Sequence, residues 1–515
     1  MDNARPQKDR LLRSPWLVVF SLAFLKLAVH LLTAGNYGLF VDELYFLAAG
    51  QHLAWGFVDM PPLTALLAFV AKAIFGDSVA GIHVIPALAG MGLVLLTGLL
   101  VHEFGGSRLA QLLSGLSILI AGVFLAADSY LSMNSIEPLL WMGCVYVLIR
   151  LIKTGDNRLW LGFGLLAGLG LMNKHTMLMF GFALLAGLLL TPARKSLFNR
   201  WFLLGGLVAL AIFLPNLVWN IQQGFPILEL QANIRQSQRN VSLTPLQFVL
   251  EEIVYLHPLT LPIWLAGIFW LFFSPRGKAY RCFAWAFLIT LAILLATQGR
   301  TYYLAPAFPM LIAAGSVALE AFLHGPRLGW LRPAYPALLL IGGILTAPLF
   351  LPLLPPEQYV DYTQALGIRT PKLENFQESD LPQIFADRFG WPEMAKATAQ
   401  VYNSLSPEEQ AQVVIFGSSY GNAGAIDFYG PGLGLPGAYS GHQNYFYWPP
   451  DAQHGAVMIA LGMNSYILSR YYNQVEAVGT VRNAHAMAYQ NFPIYLCRDP
   501  KGLLVENWSD FKNWR

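Results

Sequence analysis

Up to about residue 355 the chain alternates long apolar runs with short basic or polar breaks; beyond that point it reads as an ordinary water-soluble sequence. A bilayer-crossing helix needs about 20 mostly apolar residues. The pattern predicts eleven such helices, over 15–34, 79–101, 109–127, 136–152, 159–172, 175–191, 201–219, 257–273, 282–298, 304–323 and 334–353. Residues 61–75 are apolar but short, which predicts an interfacial helix rather than a crossing. Residues 159–191 are interrupted only at Asn173-Lys174-His175-Thr176, which predicts a hairpin of two short helices. Lys174 is then read either as a lysine snorkelling to the surface or as part of a polar cluster at membrane depth.

Composition agrees with this division. The 515 residues are 56% hydrophobic and 12% charged, against about 25% charged in soluble domains. The expected fold class is a polytopic α-helical membrane protein with a C-terminal soluble α/β domain. The domains run 1–354, with a first loop over 35–78, and 355–515. A net charge of +3 is too small for nucleic-acid binding. Cys144, Cys282 and Cys497 show no ligand spacing. The basic N-terminus precedes an apolar run with no small-residue cleavage site, so a retained first span is expected.

Lysine and arginine bias sets the orientation. Sixteen basic residues fall on the N-terminal side: Arg5, Lys8, Arg10, Arg13, Arg108, Arg150, Lys153, Arg158, Arg194, Lys195, Arg200, Arg276, Lys278, Arg281, Arg327 and Arg332. Five fall opposite: Lys72, Lys174, Arg235, Arg239 and Arg300. The expectation is a multi-pass protein of the cytoplasmic membrane with a cytoplasmic N-terminus. The first loop and the C-terminal domain then face outward.

That orientation collects unusual polar residues on the outer side. Asp42 and Glu43 follow the first span, and Asp59 precedes Pro61-Pro62-Leu63. Asp128, Asn134 and Glu137 flank one turn; Lys174, His175, His257 and Arg300-Thr301-Tyr302-Tyr303 complete the set. Acids supply a general base and candidate metal ligands; cations and tyrosines suit a phosphate. Each also has a structural reading. Asp128 caps a helix, Glu137 closes a turn before Pro138, and His257 is an interface residue.

Asp42-Glu43-Leu44-Tyr45, Asp59-Met60-Pro61-Pro62-Leu63 and Arg300-Thr301-Tyr302-Tyr303-Leu304-Ala305-Pro306 resemble passages of the GT-C membrane glycosyltransferases. The group in question is the protein O-mannosyltransferase and lipid A aminoarabinose transferase group (glycosyltransferase family 39-like). The resemblance covers most of residues 15–325. It implies transfer of a sugar from a polyprenyl-phosphate donor to a hydroxyl of an unidentified glycan, lipid or protein acceptor, at the outer face of the membrane and with inversion. It implies Asp42 as base, with Glu43 and Asp128 beside it, and Lys174, Arg300, Tyr302 and Tyr303 on the donor phosphate. A divalent metal ion is a possible cofactor, held by Asp59 with His257. Met60 stands where the aminoarabinose branch has a lysine, so part of that phosphate contact is missing and Lys174 is the candidate substitute.

In the tail, apolar runs at 412–416, 456–460 and 494–496 predict strands, and Pro392 to Leu405 predicts a helix. Gly417-Ser418-Ser419-Tyr420-Gly421 fits the Gly-x-Ser-x-Gly hydrolase pattern, but a Gly-rich turn is the preferred reading. Tyr445-Phe446-Tyr447-Trp448 predicts either a sugar-stacking surface or a buried strand. The alternative function is a transporter or flippase of a lipid-linked or anionic substrate. Such proteins carry paired halves with matching breaks, and no internal repeat of that kind is visible.

Overall fold

The computed structural model describes residues 15–325, 327–368, 374–375, 379–451 and 454–515. Of the charges used for orientation, Arg5, Lys8, Arg10 and Arg13 lie outside the described residues. Contacts gather the chain into two units. The first comprises the residues up to Ala34 with His83–Val218 and Ser242–Leu353; the second comprises Gly35–Ile82, Trp219–Val241 and Leu354–Arg515. The first loop, together with a stretch around residue 230, therefore folds with the tail.

Among the described residues, six helices are long and apolar enough to cross a membrane: Trp16–Thr33, Val79–Glu103, Met133–Thr154, Arg200–Gln222, Gly277–Thr297 and Thr301–Leu323. A further pair, Pro245–Tyr255 and Pro258–Phe273, is bent by 95°. His257, at the bend, has a φ of 79°. The helices Arg108–Ile120, Leu159–Asn173 and Thr176–Leu189 are apolar but shorter. Each break has a local cause. Ala121 is extended and ends the helix from Arg108, and extended Lys174 separates the two arms of the expected hairpin. Leu331–Thr346 lies where the eleventh span is expected.

The first unit is cemented by buried polar groups as well as apolar packing. Trp141 and Phe180 stack at 4.0 Å. Buried Glu320 accepts from the backbone N–H groups of Ser107 (2.8 Å) and Ala110 (3.1 Å) and from the Ser107 hydroxyl. A carboxylate there satisfies donors that the helix start at Arg108 leaves open, and it sits at the positive end of the helix dipole.

The second unit is built on a five-stranded sheet. Its strands are β1 Val413–Gly417, β2 Ala438–Tyr439, β3 Val457–Leu461, β4 Tyr472–Val481 and β5 Phe492–Pro500, in the order β2-β1-β3-β5-β4. β1 runs parallel to β2 and β3, whereas β5 is antiparallel to β3 and β4. β1 and β3 are buried along their whole length, which explains their unbroken apolar sequence. The helix Trp391–Asn403 matches the expected one closely. Residues 445–447 are not a strand; they form part of a 3₁₀ turn, Gln443–Tyr447. From the first loop come the helices Val41–Gln51 and Leu63–Phe75, the second of which is the short apolar helix expected over 61–75.

Candidate active site

The acidic motif of the first loop opens a helix. Phe40 is extended and precedes Val41–Gln51 without a capping side chain of its own. Glu43, at the third helical position, reaches back to the turn: its Oε2 accepts from the Phe40 N–H at 2.8 Å and the side chain is fully buried. The pair therefore divides. Glu43, expected among the catalytic acids, holds the turn, and Asp42 presents its carboxylate on another face.

Asp42 meets the tail. Its Oδ1 accepts a 2.6 Å hydrogen bond from the Tyr420 hydroxyl. Tyr420 begins the helix Tyr420–Tyr429, directly after β1, with Ser419 as N-cap: Ser419 Oγ accepts from the Asn422 N–H and donates to Asn422 Oδ1. This serine is committed to capping, so the Gly-x-Ser-x-Gly stretch is a turn and not a nucleophile elbow. The small residues that follow let the helix lie close to Val41–Gln51. A Cβ at Gly424 would stand 2.8 Å from the Leu44 carbonyl oxygen. β1 and β3 are the parallel strands between which the chain order reverses, and their carboxyl ends are where open α/β sheets bind ligands.

Tyrosine–aspartate hydrogen bonds recur in this unit, and three of them concern the residues around Asp42, Asp59 and Asp387. Tyr420 donates to Asp42, Tyr45 to Asp59 Oδ1 at 2.8 Å, and Tyr489 to Asp387 Oδ1 at 2.6 Å. Tyr45 lies three positions after Asp42 and so on the same helical face. Its ring packs on that of Tyr420 at 4.9 Å. Burial pushes the Asp59 carboxyl up to about 6; the Tyr45 hydrogen bond opposes the rise and the charge of Asp42 adds to it. Burial likewise pushes Asp387 up to about 7, opposed by the Tyr489 hydrogen bond. Burial, then the Asp42 charge, also raises the Tyr420 phenol, which keeps its proton at any ordinary pH.

Behind Tyr420 lies His442, stacked on its ring at 4.6 Å and 10°. The Tyr420 N–H points to His442 Nδ1 at 3.2 Å, and Nε2 meets the Arg515 carbonyl at 3.3 Å. Those partners assign the neutral tautomer with hydrogen on Nε2. Burial, with Arg239 and Arg515 adding to it against the Arg515 carbonyl, lowers its pKa to about 4. Arg239 binds Glu374 Oε1 through Nε at 2.8 Å and the Arg515 carbonyl through Nη1 at 3.2 Å.

The first unit holds the expected phosphate-binding residues. Lys174 Nζ lies 2.8 Å from both Glu137 Oε2 and Asn134 Oδ1, and 4.2 Å from the Tyr303 ring centroid. The Tyr302 centroid is 5.5 Å away, and the Thr176 hydroxyl donates to Glu137. Arg300 immediately precedes the turn Thr301–Tyr303. Lys174, Tyr302 and Tyr303 are thus brought together, with Asn134 and Glu137 among them.

Asp128 does not join an acidic cluster: it pairs with Lys26 at 2.8 Å. His257, expected with Asp59 at a metal, belongs to the first unit and Asp59 to the second. His257 Nδ1 accepts from the Leu259 N–H at 3.2 Å. No group of three His, Cys, Asp or Glu side chains suited to a metal occurs among the described residues.

The sequence motifs contain Tyr45, Tyr420 and His442 but assign none of them to the site, and Glu252 lies outside every motif. Tyr45 was within reach through its three-residue spacing from Asp42. Glu252 is buried, and neither of its carboxyl oxygens has a hydrogen-bond partner among the described residues.

A family described as dolichyl-phosphate-mannose-protein mannosyltransferase matches residues 59–219. Among solved structures, ArnT from Cupriavidus metallidurans bound to undecaprenyl phosphate aligns with a TM-score of 0.60 at 14% identity, over 93% of this chain and 98% of that one. The Archaeoglobus fulgidus oligosaccharyltransferase tethered with an acceptor peptide aligns with a TM-score of 0.51 at 13% identity, over 81% of this chain and 63% of that one. A search of curated protein sequences returned no match. The chain is a multi-pass helical membrane protein with the GT-C glycosyltransferase fold.

Proposed function

We propose that this protein is a membrane glycosyltransferase that moves a sugar from a polyprenyl-phosphate donor to an acceptor hydroxyl at the outer face of the cytoplasmic membrane. The observation that carries the reading is the Asp42 carboxylate, set at the start of the first-loop helix and gripped by Tyr420, in a chain with the GT-C fold. The sixteen-to-five basic bias supports the outward orientation of that loop. The ArnT neighbour was solved with undecaprenyl phosphate, which supports a polyprenyl carrier.

In this reading Asp42 removes the proton of the acceptor hydroxyl as its oxygen attacks the anomeric carbon. The bond between that carbon and the phosphate oxygen breaks, and the electron pair leaves with the polyprenyl phosphate. Attack opposite the phosphate inverts the centre. A positioned carboxylate base contributes about 10²–10⁴-fold. Preorganised donors at the leaving phosphate contribute through charge stabilisation; Lys174, Arg300, Tyr302 and Tyr303 are assigned that role.

The test is to incubate the purified protein with a polyprenyl-phosphate sugar and a total extract of envelope acceptors. Stoichiometric release of polyprenyl phosphate with appearance of a glycosylated acceptor is expected. Movement of the intact donor across vesicles, without cleavage, would overturn the reading in favour of a flippase. Mass spectrometry of envelopes with and without the protein identifies the acceptor.

A further inference from the structure

We propose that Tyr420 is a positioning residue for Asp42, so that the C-terminal α/β region is part of the catalytic apparatus and not an accessory. This rests on the glycosyltransferase reading above.

The contact is short, 2.6 Å from the phenol oxygen to Oδ1 of Asp42, as expected for a hydrogen bond to an ionised acceptor. Tyr420 is itself clamped. His442 stacks on one side at 4.6 Å, Tyr45 packs at 4.9 Å, and the Tyr420 N–H is directed to His442 Nδ1. The helix behind it is seated by the close approach at Gly424. A donor held by several independent contacts fixes the carboxylate rotamer before substrate arrives, which is the condition for effective base catalysis. It also favours the ionised form of the acid. The raised phenol pKa means that Tyr420 acts as donor and not as base.

Several other charges surround this contact. Glu43 is on the same helix as Asp42. Asp59 is reached through Tyr45, and Asp387 through Tyr489. Beyond His442 stand Arg239 and the carbonyl of Arg515.

The experiment replaces Tyr420 with Phe, which keeps the ring and its stacking and removes only the hydroxyl. The Asp42 carboxylate is followed by infrared titration, with Asp42→Asn as the blank, so that the readout does not require turnover. Loss of a hydrogen bond to the charged form moves the Asp42 titration up by about one pH unit. The kcat falls about tenfold or more while the donor KM is unchanged. Incorporating 3-fluorotyrosine at position 420, a stronger donor of the same shape, shifts the titration in the opposite direction and covers the case in which the Phe variant fails to fold. An Asp42 band and kcat unmoved in Tyr420→Phe would overturn the proposal. If Asp42→Asn is inactive and Tyr420→Phe is unaffected, only the role of Tyr420 falls. If Asp42→Asn transfers at the wild-type rate, the base assignment falls and takes the positioning role with it.

Discussion

Lys26 and Asp128 form an ion pair at 2.8 Å in which neither side chain reaches solvent. Lys26 Nζ also donates to the Phe124 carbonyl at 3.3 Å. The pair occupies the space beside Gly90, where an added Cβ would overlap Asp128 Oδ2 and Lys26 Cε. Removing one member of such a pair leaves a buried charge uncompensated and costs about 3–5 kcal/mol, whereas replacing both with apolar groups is often neutral. Asp128→Leu alone is therefore expected to lower the thermal midpoint in detergent sharply, and Gly90→Ala to do so by displacing the pair. Lys26→Met with Asp128→Leu is expected to recover both stability and transfer. Recovery of stability without transfer would return Asp128 to the chemistry.

The Lys174 ammonium is committed to Glu137 and Asn134 and lies over Tyr303, so its structural and substrate-binding roles must be separated. Lys174→Met alone strands Glu137 and is expected to destabilise by about 3–5 kcal/mol. Adding Glu137→Gln removes the stranded charge. In that double variant the thermal midpoint is expected to return while the donor KM rises about tenfold or more, as loss of a charged contact to phosphate requires. A double variant with wild-type donor KM would show that Lys174 serves the fold alone.

Much of this was legible in the sequence, for stated reasons. Asp42 and Glu43 stand out because carboxylates are scarce in a chain this apolar, and β1 and β3 stand out because buried parallel strands are uninterrupted by polar residues. The split between Asp42 and Glu43 was not legible in full, since it depends on the Glu43 carboxylate turning back to the Phe40 N–H while Asp42 faces Tyr420. Lys26 was hidden inside a span read as apolar, and its partner lies 102 positions away in the chain. The Tyr420–Asp42 bond joins residues 378 positions apart, a separation over which periodicity carries no signal. β4 went unread because its exposed, polar positions are those of an edge strand.

Asp387 gives a pH-dependent stability with an unusual sign. Its folded pKa is raised by burial from 3.8 to about 7, so the folded state binds the proton more tightly than the unfolded one. The stabilisation is present in full below about pH 4 and is lost as pH rises to about 7, with a ceiling of about 4 kcal/mol. Asp387→Asn retains an acceptor for the Tyr489 hydroxyl without the charge. It is expected to raise the thermal midpoint at pH 8 and to leave it unchanged at pH 4. Equal midpoints for the two proteins at pH 8 would show that the Asp387 carboxyl is not raised.

Asp42→Asn is expected to separate chemistry from folding most cleanly. The amide keeps an oxygen to accept from Tyr420, so membrane insertion and the thermal midpoint are expected to hold while transfer falls by about 10²–10⁴-fold, the usual contribution of a positioned base. The same change acts on Asp59, whose carboxyl is held at about 6 first by burial and in part by the neighbouring Asp42 charge. Removing a like charge favours ionisation, so Asp59 is expected to titrate lower in Asp42→Asn than in the wild type. It is nevertheless expected to stay above the ordinary carboxylate range, because burial remains. Infrared titration, with Asp59→Asn as the blank, reads that shift. A variant with normal transfer would exclude Asp42 as the base. An unmoved Asp59 would show that the two carboxylates do not sense one another.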